Sequence, residues 1–166
     1  MKKADLKRYA YLITKVGANV QKGQDVTVYA GLDQELLANY VVEYCYKLGA
    51  KLVTVEWQSD KLTKTQYKRA SVKALSEFPL WKEEKQKHIN ATLPAVIYIE
   101  SSDPDALKGV NQKKVSEVHR NMITKIKPYR DARENKYQWT IAGAASKEWA
   151  KKVFPNDSAS KAVSKL

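Results

Sequence analysis

The chain has 166 residues, 43% of them apolar, which is enough for a domain with its own core. Its formal net charge of +12 is typical of proteins that bind anionic partners. The single cysteine, Cys45, excludes an internal disulfide and indicates a reducing compartment. No apolar run approaches the ~20 residues that cross a bilayer, and the charges of Asp5, Lys7 and Arg8 interrupt any signal peptide, so we expect a cytoplasmic protein.

The first part of the chain predicts a helix followed by a strand–helix–strand unit. The turn signal Lys22-Gly23 precedes the first strand, and Gly49 lies where the end of a helix favours a residue that tolerates positive φ. Two strands joined by a helix of this length pair in parallel. The predicted elements are a helix over residues 4–17, a strand over 25–30, a helix over 36–48 and a strand over 51–57.

The rest of the chain repeats this alternation of helices and strands. The nearly continuous apolar strand 95–100 indicates burial on both faces, as in the centre of a parallel sheet. We therefore predict an α/β fold with an open, mainly parallel sheet of about four or more strands and helices on both faces, in Rossmann- or flavodoxin-like layering. The predicted elements are helices over 59–70 and 79–90, the strand 95–100, a short helical turn over 103–109, a helix capped by Asn111 and kinked or interrupted at Pro128, a strand over 137–142, and helices capped by Ser146 and Ser158.

Patterns that carry catalytic chemistry are missing from this chain. The turn after the first strand, Ala30-Gly31-Leu32-Asp33, has one glycine and satisfies neither the dinucleotide fingerprint nor the P-loop pattern. His88 and His119 lie on different predicted helices without further ligands at metal-binding spacing, so we interpret them as surface or boundary residues. Cys45 falls on an apolar helix stripe and is interpreted as a core residue. We predict no catalytic, cofactor-binding or metal-binding residue.

The predicted carboxyl ends of the strands leave a small-molecule site open as one hypothesis. Open α/β sheets bind their ligands at this edge, and the chain places acids and hydroxyls there. The simpler interpretation is that the acids cap the helices that follow. The segments concerned are Gly31-Leu32-Asp33, Gln58-Ser59-Asp60 and Ser101-Ser102-Asp103.

The positive charge supports a second hypothesis, a standalone basic module that binds nucleic acid. The interleaved acids Glu117, Asp131 and Glu134 count against it, and we expect no nucleic-acid partner. The candidate contacts lie on the long predicted helix and are Lys113, Lys114, Arg120, Lys125, Lys127, Arg130 and Arg133.

Several stretches together resemble the aminopeptidase T and aminopeptidase S family of metallo-aminopeptidases. Their order and spacing cover nearly the whole chain, and the most specific is Trp149-Ala150-Lys151-Lys152-Val153-Phe154-Pro155. The others are residues 6–24, Tyr46-Lys47-Leu48-Gly49-Ala50-Lys51, Val53-Thr54-Val55-Glu56-Trp57, Glu77-Phe78-Pro79-Leu80-Trp81, residues 103–110 and Lys127-Pro128-Tyr129-Arg130.

The resemblance implies a bacterial, cytoplasmic exopeptidase that removes N-terminal amino acids from peptides with two divalent metal ions, zinc, cobalt or similar. The family's metal ligands and catalytic residues lie in a larger C-terminal part, so none is carried over and this chain alone is expected to be inactive. It implies that residues 1–155 form an N-terminal α/β domain that shapes the substrate cavity of a homodimer, and that residues 156–166 start a helix leading into a catalytic region. The excess of lysine departs from the near-neutral or acidic charge expected of the family.

Overall fold

The computed structural model of the protein describes residues 3–166 and shows helices alternating with four strands. The helices are α1 (Lys3–Tyr11), α2 (Glu35–Lys47), α3 (Asp60–Arg69), α4 (Val72–Leu75), α5 (Leu80–Thr92), α6 (Gln112–Arg133), α7 (Lys147–Val153) and α8 (Ala159–Lys165), with a π-helical turn at Leu12–Gly17 and a 3₁₀ turn at Leu32–Gln34. The strands are β1 (Asp25–Gly31), β2 (Leu52–Gln58), β3 (Ala95–Glu100) and β4 (Trp139–Gly143).

These elements divide into two compact units. The sheet unit takes in residues up to Ser59 together with Pro94–Pro104 and Gln138–Leu166, and the helical unit takes in Asp60–Leu93 and Asp105–Tyr137. The predicted boundary after residue 155 stays a prediction. Among residues 3–166, no helix is both long enough and apolar enough to cross a membrane.

The sheet is parallel throughout, in the order β2-β1-β3-β4, so the predicted α/β class and parallel pairing are confirmed. Val26 of β1 pairs in register with Val53 of β2 on one side and with Ala95 of β3 on the other. The carboxyl ends of all four strands therefore lie along one edge of the sheet.

The core of the sheet unit lies between one face of the sheet and the helices α1 and α2. Val26, Val28 and Ala30 are buried at alternate positions of β1, as the two-residue period of a strand requires. They pack in one cluster with Val41 and Cys45 of α2, which confirms Cys45 as a core residue. Burying a valine side chain stabilises the folded state by roughly 1.5–3 kcal/mol.

The opposite face of β3 is less buried than the sequence predicts. Ile97 is fully buried, but Tyr98 is 37% exposed and Glu100 is exposed as well. Tyr98 stacks on Tyr29 of the neighbouring β1, with ring centroids 5.1 Å apart. Offset aromatic stacking across two strands stabilises the pair while leaving part of each ring in contact with water.

The first helix ends as a π-helical turn rather than continuing as the single α-helix predicted over 4–17. Within this turn the buried Thr14 donates its hydroxyl proton to the Ala10 carbonyl at 2.9 Å. Gly17 lies against β4, where an added Cβ would be 2.8 Å from the Thr140 hydroxyl. The missing side chain therefore allows the end of this helix to approach the strand closely.

The end of α2 follows the prediction made for Gly49. This glycine has a φ of +90°, a conformation that residues with a Cβ rarely adopt. Its carbonyl accepts a 2.7 Å hydrogen bond from the Gly23 backbone N–H. The turn before β1 and the turn before β2 are thus joined directly.

Side-chain caps fix the last two helices of the sheet unit as predicted. The Ser146 hydroxyl accepts from the Trp149 N–H at 3.0 Å, and Ser158 accepts from Lys161 N–H at 3.3 Å. Asp157 contacts Lys161 at 3.1 Å and Lys165 at 2.5 Å. The hydrogen bond from Lys165, followed by the one from Lys161, lowers the pKa of the Asp157 carboxyl.

The helices between β2 and β3 and the chain between β3 and β4 depart from the prediction at four places. Residues 103–109 form turns and no helix, and the short α4, capped by the Ser71 hydroxyl, was not predicted. Pro79 is the N-cap of α5 with extended ψ of 161° rather than its first helical residue. Pro128 does not interrupt α6, which runs unbroken from its predicted cap Asn111 to Arg133.

Candidate functional site

The carboxyl edge of the sheet brings together two of the three predicted strand-end segments. After β1, the 3₁₀ turn Leu32–Gln34 carries Asp33 to the end of β3, where the buried Ser101 donates its hydroxyl proton to Asp33 Oδ1 at 2.9 Å. Gln34 Nε2 donates to the other carboxylate oxygen, Oδ2, at 2.7 Å. Asp33 is therefore held by two hydrogen bonds and does not cap the helix that follows.

Gly31 makes this arrangement possible. An added Cβ at this position would be 2.5 Å from both Asp33 Oδ1 and Ser101 Oγ. The backbone of Gly31 is ordinary extended chain, with a φ of −69°, so the glycine is required for space and not for conformation. The turn at Gly31 matches no phosphate-loop pattern, and its glycine instead leaves room for the contact between the ends of β1 and β3.

An open cavity of about 540 Å³ borders Asp33, and we call it the carboxyl-edge cavity. Tyr9 of α1 lies in its wall and donates its hydroxyl proton to the Gly143 carbonyl at the end of β4, at 2.9 Å. Partial burial raises the pKa of Tyr9, so this phenol stays a proton donor at neutral pH. The lining residues are Leu6, Tyr9, Asp33, Gln34, Leu36, Leu37, Gly143, Ala144, Ala145, Val163 and Leu166.

The remaining strand-end segment, Gln58-Ser59-Asp60, does not join Asp33 and Ser101 as predicted. Gln58 lies in register beside Gly31 but is exposed, and Asp60 opens α3 in the helical unit. Asp103 caps no helix, because residues 103–109 form turns. The cavity at the carboxyl edge is therefore lined from the ends of β1 and β4 and lies beside the end of β3, while the end of β2 does not line it.

The polar side chains that line the carboxyl-edge cavity are the phenol of Tyr9, the carboxylate of Asp33 and the amide of Gln34. A nucleophilic serine needs a general base such as histidine to take its proton, and both histidines, His88 and His119, are exposed in the helical unit. Cys45 is buried away from solvent, which raises the pKa of its thiol to about 12 and keeps it protonated. Across residues 3–166, no group of three or more His, Cys, Asp or Glu side chains could hold a metal ion.

Most of the cations proposed to contact nucleic acid are engaged inside the helical unit. Lys114 donates to the Ala70 carbonyl at the end of α3, and Lys125 donates to the Ser76 carbonyl at the end of α4, at 2.5 Å. These ammonium groups satisfy carbonyls that helix ends leave unpaired.

The remaining cations of α6 divide into bonded and solvent-facing side chains. Lys127 pairs with Asp131, and Arg133 Nη1 donates to Gln86 Oε1 and Asn90 Oδ1 of α5, both at 3.0 Å. Lys113, Arg120 and Arg130 are exposed. Four of the seven candidate cations are therefore bonded within the helical unit, and the helix gives no support to a nucleic-acid interface.

Sequence reasoning missed Tyr9 and the small residues after β4. The run Ala142-Gly143-Ala144-Ala145 offered a signal, because small residues at a strand end permit close approach to another element. The contact from Tyr9 to Gly143 joins residues 134 positions apart and has no local signature.

Comparison with known proteins identifies relatives of the whole chain. Residues 2–166 match the family described as Thermophilic metalloprotease (M29). The chain is 38% identical over 159 residues to Aminopeptidase AmpS of Bacillus subtilis and 36% identical over 157 residues to Aminopeptidase PepS of Streptococcus thermophilus. These alignments cover 95% and 94% of this chain but 39% and 38% of the two relatives.

A solved structure supports the same relationship. Wild-type AmpT from Thermus thermophilus superposes with a TM-score of 0.88 at 30% sequence identity, over 99% of this chain and 42% of that one. The chain thus spans about two fifths of the length of the relatives it matches. Taken with its parallel sheet and the match over residues 2–166, the chain belongs to the thermophilic metalloprotease family, M29.

Proposed function

We propose that this chain is the non-catalytic N-terminal domain of a metal-dependent aminopeptidase that removes N-terminal amino acids from peptides. The observation that carries the proposal is the family match over residues 2–166 together with coverage of 39% of Aminopeptidase AmpS. A domain that accounts for two fifths of such an enzyme leaves most of the chain for a catalytic part.

The metal centre of that enzyme lies outside these residues in our proposal. Divalent metals such as zinc or cobalt are held by converging carboxylates, imidazoles or thiolates. The side chains of residues 3–166 do not fit this requirement, since they form no such cluster. The Ser101–Asp33 pair and the buried Cys45 supply no substitute for it.

We propose that the carboxyl-edge cavity forms part of the wall of the substrate cavity in the full enzyme. Its lining is mainly apolar, which suits the apolar side chains of a peptide. The Asp33 carboxylate in the same wall suits the ammonium group at the N-terminus of a peptide. A homodimer enclosing this cavity and a cytoplasmic location, as the family resemblance implies, complete the proposal.

Hydrolysis of an aminoacyl p-nitroanilide tests the catalytic assignment. The protein expressed from the native gene and the chain 1–166 are each stripped with a chelator and reloaded with zinc or cobalt. The native gene product is expected to regain activity, and the chain 1–166 is expected to release no p-nitroaniline. Activity of the chain 1–166 that co-purifies with it through successive columns would overturn the assignment.

A substitution in the cavity wall tests the substrate-binding role in the active enzyme. Leu36→Trp adds bulk to the carboxyl-edge cavity and is expected to raise KM for peptides severalfold with little change in kcat. Leu12→Trp is the matched control, because Leu12 is similarly exposed, at 52% against 45%, and lies outside the cavity lining. Equal kinetics for the two variants would contradict the role.

A further inference from the structure

The positive charge of the protein is concentrated in the helical unit. Residues 60–93 and 105–137 contain 17 lysines and arginines against 8 aspartates and glutamates, a net charge of +9 out of the +12 of the whole chain. The sheet unit, with 13 basic and 10 acidic residues, carries the remaining +3. A surface function for the charge must therefore be sought in the helical unit.

Within that unit, residues 61–76 form a stretch that contains no acidic residue, and we call it the basic segment. It comprises nearly all of α3, the turn at Ala70-Ser71 and α4. Asp60 and Glu77 flank it on either side. Its five cations are Lys61, Lys64, Lys68, Arg69 and Lys73.

Three of these cations form a row along one face of α3. Lys61, Lys64 and Lys68 are spaced three and four residues apart, which places them one above another on a helix. At a rise of 1.5 Å per residue, the row is about 10 Å long. Lys61 and Lys68 are exposed, Lys64 is half-buried, and α3 itself contains no buried residue.

The cations of the basic segment differ from the bonded cations of α6 in their lack of a described ion-pair partner. Lys114, Lys125 and Arg133 of α6 are bonded to groups of the helical unit. Within residues 3–166, by contrast, none of the five cations of the basic segment forms an ion pair. Ammonium groups held close together without counter-charges repel one another and favour an external anion.

We propose that the basic segment docks acidic stretches of polypeptide and so favours anionic peptides among the substrates of the enzyme. This inference rests on the proposed function, which makes peptides the natural ligands of the protein. In an extended peptide, side chains on the same side are about 6.6 Å apart. Three alternate carboxylates therefore fit the row of Lys61, Lys64 and Lys68 within the reach of flexible lysine side chains.

The chemistry of the basic segment favours carboxylates over nucleic acid. Four of its five cations are lysines, whose ammonium groups act as hydrated point charges, and only Arg69 offers the planar guanidinium that makes bidentate contacts to phosphates and base edges. Its one aromatic residue, Tyr67, is half-buried and cannot offer a platform of stacked rings. A single-stranded oligonucleotide thus provides the competing ligand in the test.

Binding to the chain 1–166 tests the inference without any need for catalysis. The probe is a fluorescein-labelled peptide of alternating glutamate and alanine, titrated at low salt and followed by fluorescence anisotropy. The triple variant Lys61→Gln, Lys64→Gln and Lys68→Gln removes the row while keeping good helix-forming residues. The matched control is Lys15→Gln, Lys22→Gln and Lys147→Gln, which removes the same charge from exposed positions of the sheet unit.

The row variant is expected to weaken binding of the acidic peptide about tenfold, and the control by less than about twofold. Added salt is expected to abolish the difference, because exposed charges are screened. Equal losses in both variants, or tighter binding of an oligonucleotide of the same charge than of the peptide, would overturn the inference. If the acidic peptide does not bind but the native gene product is an active aminopeptidase, the inference fails and the proposed function stands. If the peptide binds but the native gene product is inactive, only the proposed function is refuted.

Discussion

The hydroxyl of Ser101 donates a 2.9 Å hydrogen bond to Asp33 Oδ1, and this contact ties the carboxyl ends of β1 and β3 together. Ser101 is buried, whereas Asp33 is exposed, so the carboxylate is held in place from the protein side. The contact lies between the two central strands of the sheet, where open α/β folds form the crevice that receives a ligand.

Removing the Ser101 hydroxyl tests how far this contact stabilises the fold. Ser101→Ala is expected to lower the free energy of unfolding by about 1 kcal/mol, because a hydrogen bond to a charged acceptor is lost. Urea unfolding of Ser101→Ala, Asp33→Ala and the double variant gives the coupling energy. Strictly additive single and double variants would contradict the contact.

Gly31→Ala is expected to destabilise the protein by about 1–3 kcal/mol, because the new Cβ would lie 2.5 Å from both Asp33 Oδ1 and Ser101 Oγ. Adding Ser101→Ala to this variant is expected to recover part of the loss. Gly143→Ala serves as the control, since its Cβ would meet Trp149 at an ordinary contact distance of 3.5 Å. Thermal unfolding measures all three variants, and equal effects of the two glycine substitutions would count against the crowding.

Arg133→Ala is expected to destabilise the helical unit by about 1–2 kcal/mol, because Gln86 and Asn90 of α5 lose a shared donor. Arg130→Ala is the control, since Arg130 is exposed three residues earlier on the same helix and should change stability by less than about 0.5 kcal/mol. Hydrogen exchange of α5 amides reports the loss locally. Unchanged protection of α5 in Arg133→Ala would be inconsistent with this role.

The Cys45 thiol is expected to be unreactive in the native protein. Burial raises its pKa to about 12, so the reactive thiolate is scarce at neutral and mildly alkaline pH. A thiol reagent at pH 8 should label Cys45 only after denaturant unfolds the sheet unit, where the pKa falls back towards its ordinary value. Rapid labelling of the folded chain would show that α2 is not packed on the sheet as described.

Local patterns predicted most of the elements of this fold. The helix caps Asn111, Ser146 and Ser158 act within three residues of themselves, so their outcome does not depend on the rest of the chain. Pro128 shows the limit of such rules, since a proline removes one helical hydrogen bond without forcing a break. It is exposed on α6, where water can satisfy the carbonyl that loses its partner.

The candidate site was predictable only in part. Parallel strands imply a shared carboxyl edge, which correctly placed Gly31, Asp33 and Ser101 near one another. The hydrogen bond between Asp33 and Ser101 depends on a 3₁₀ turn and spans 68 residues, and no periodicity in the sequence encodes either feature. The cavity wall formed by Tyr9 and Gly143 likewise arises from tertiary packing.

Metal stoichiometry tests most directly the claim that these residues form a non-catalytic domain of a metalloenzyme. The chain 1–166 and the native gene product are dialysed against cobalt or zinc, freed of unbound ion and analysed by mass spectrometry of the metal. We predict that the native gene product retains divalent metal and that the chain 1–166 retains none. Stoichiometric metal on the chain 1–166, or its absence from an active native gene product, would contradict the account.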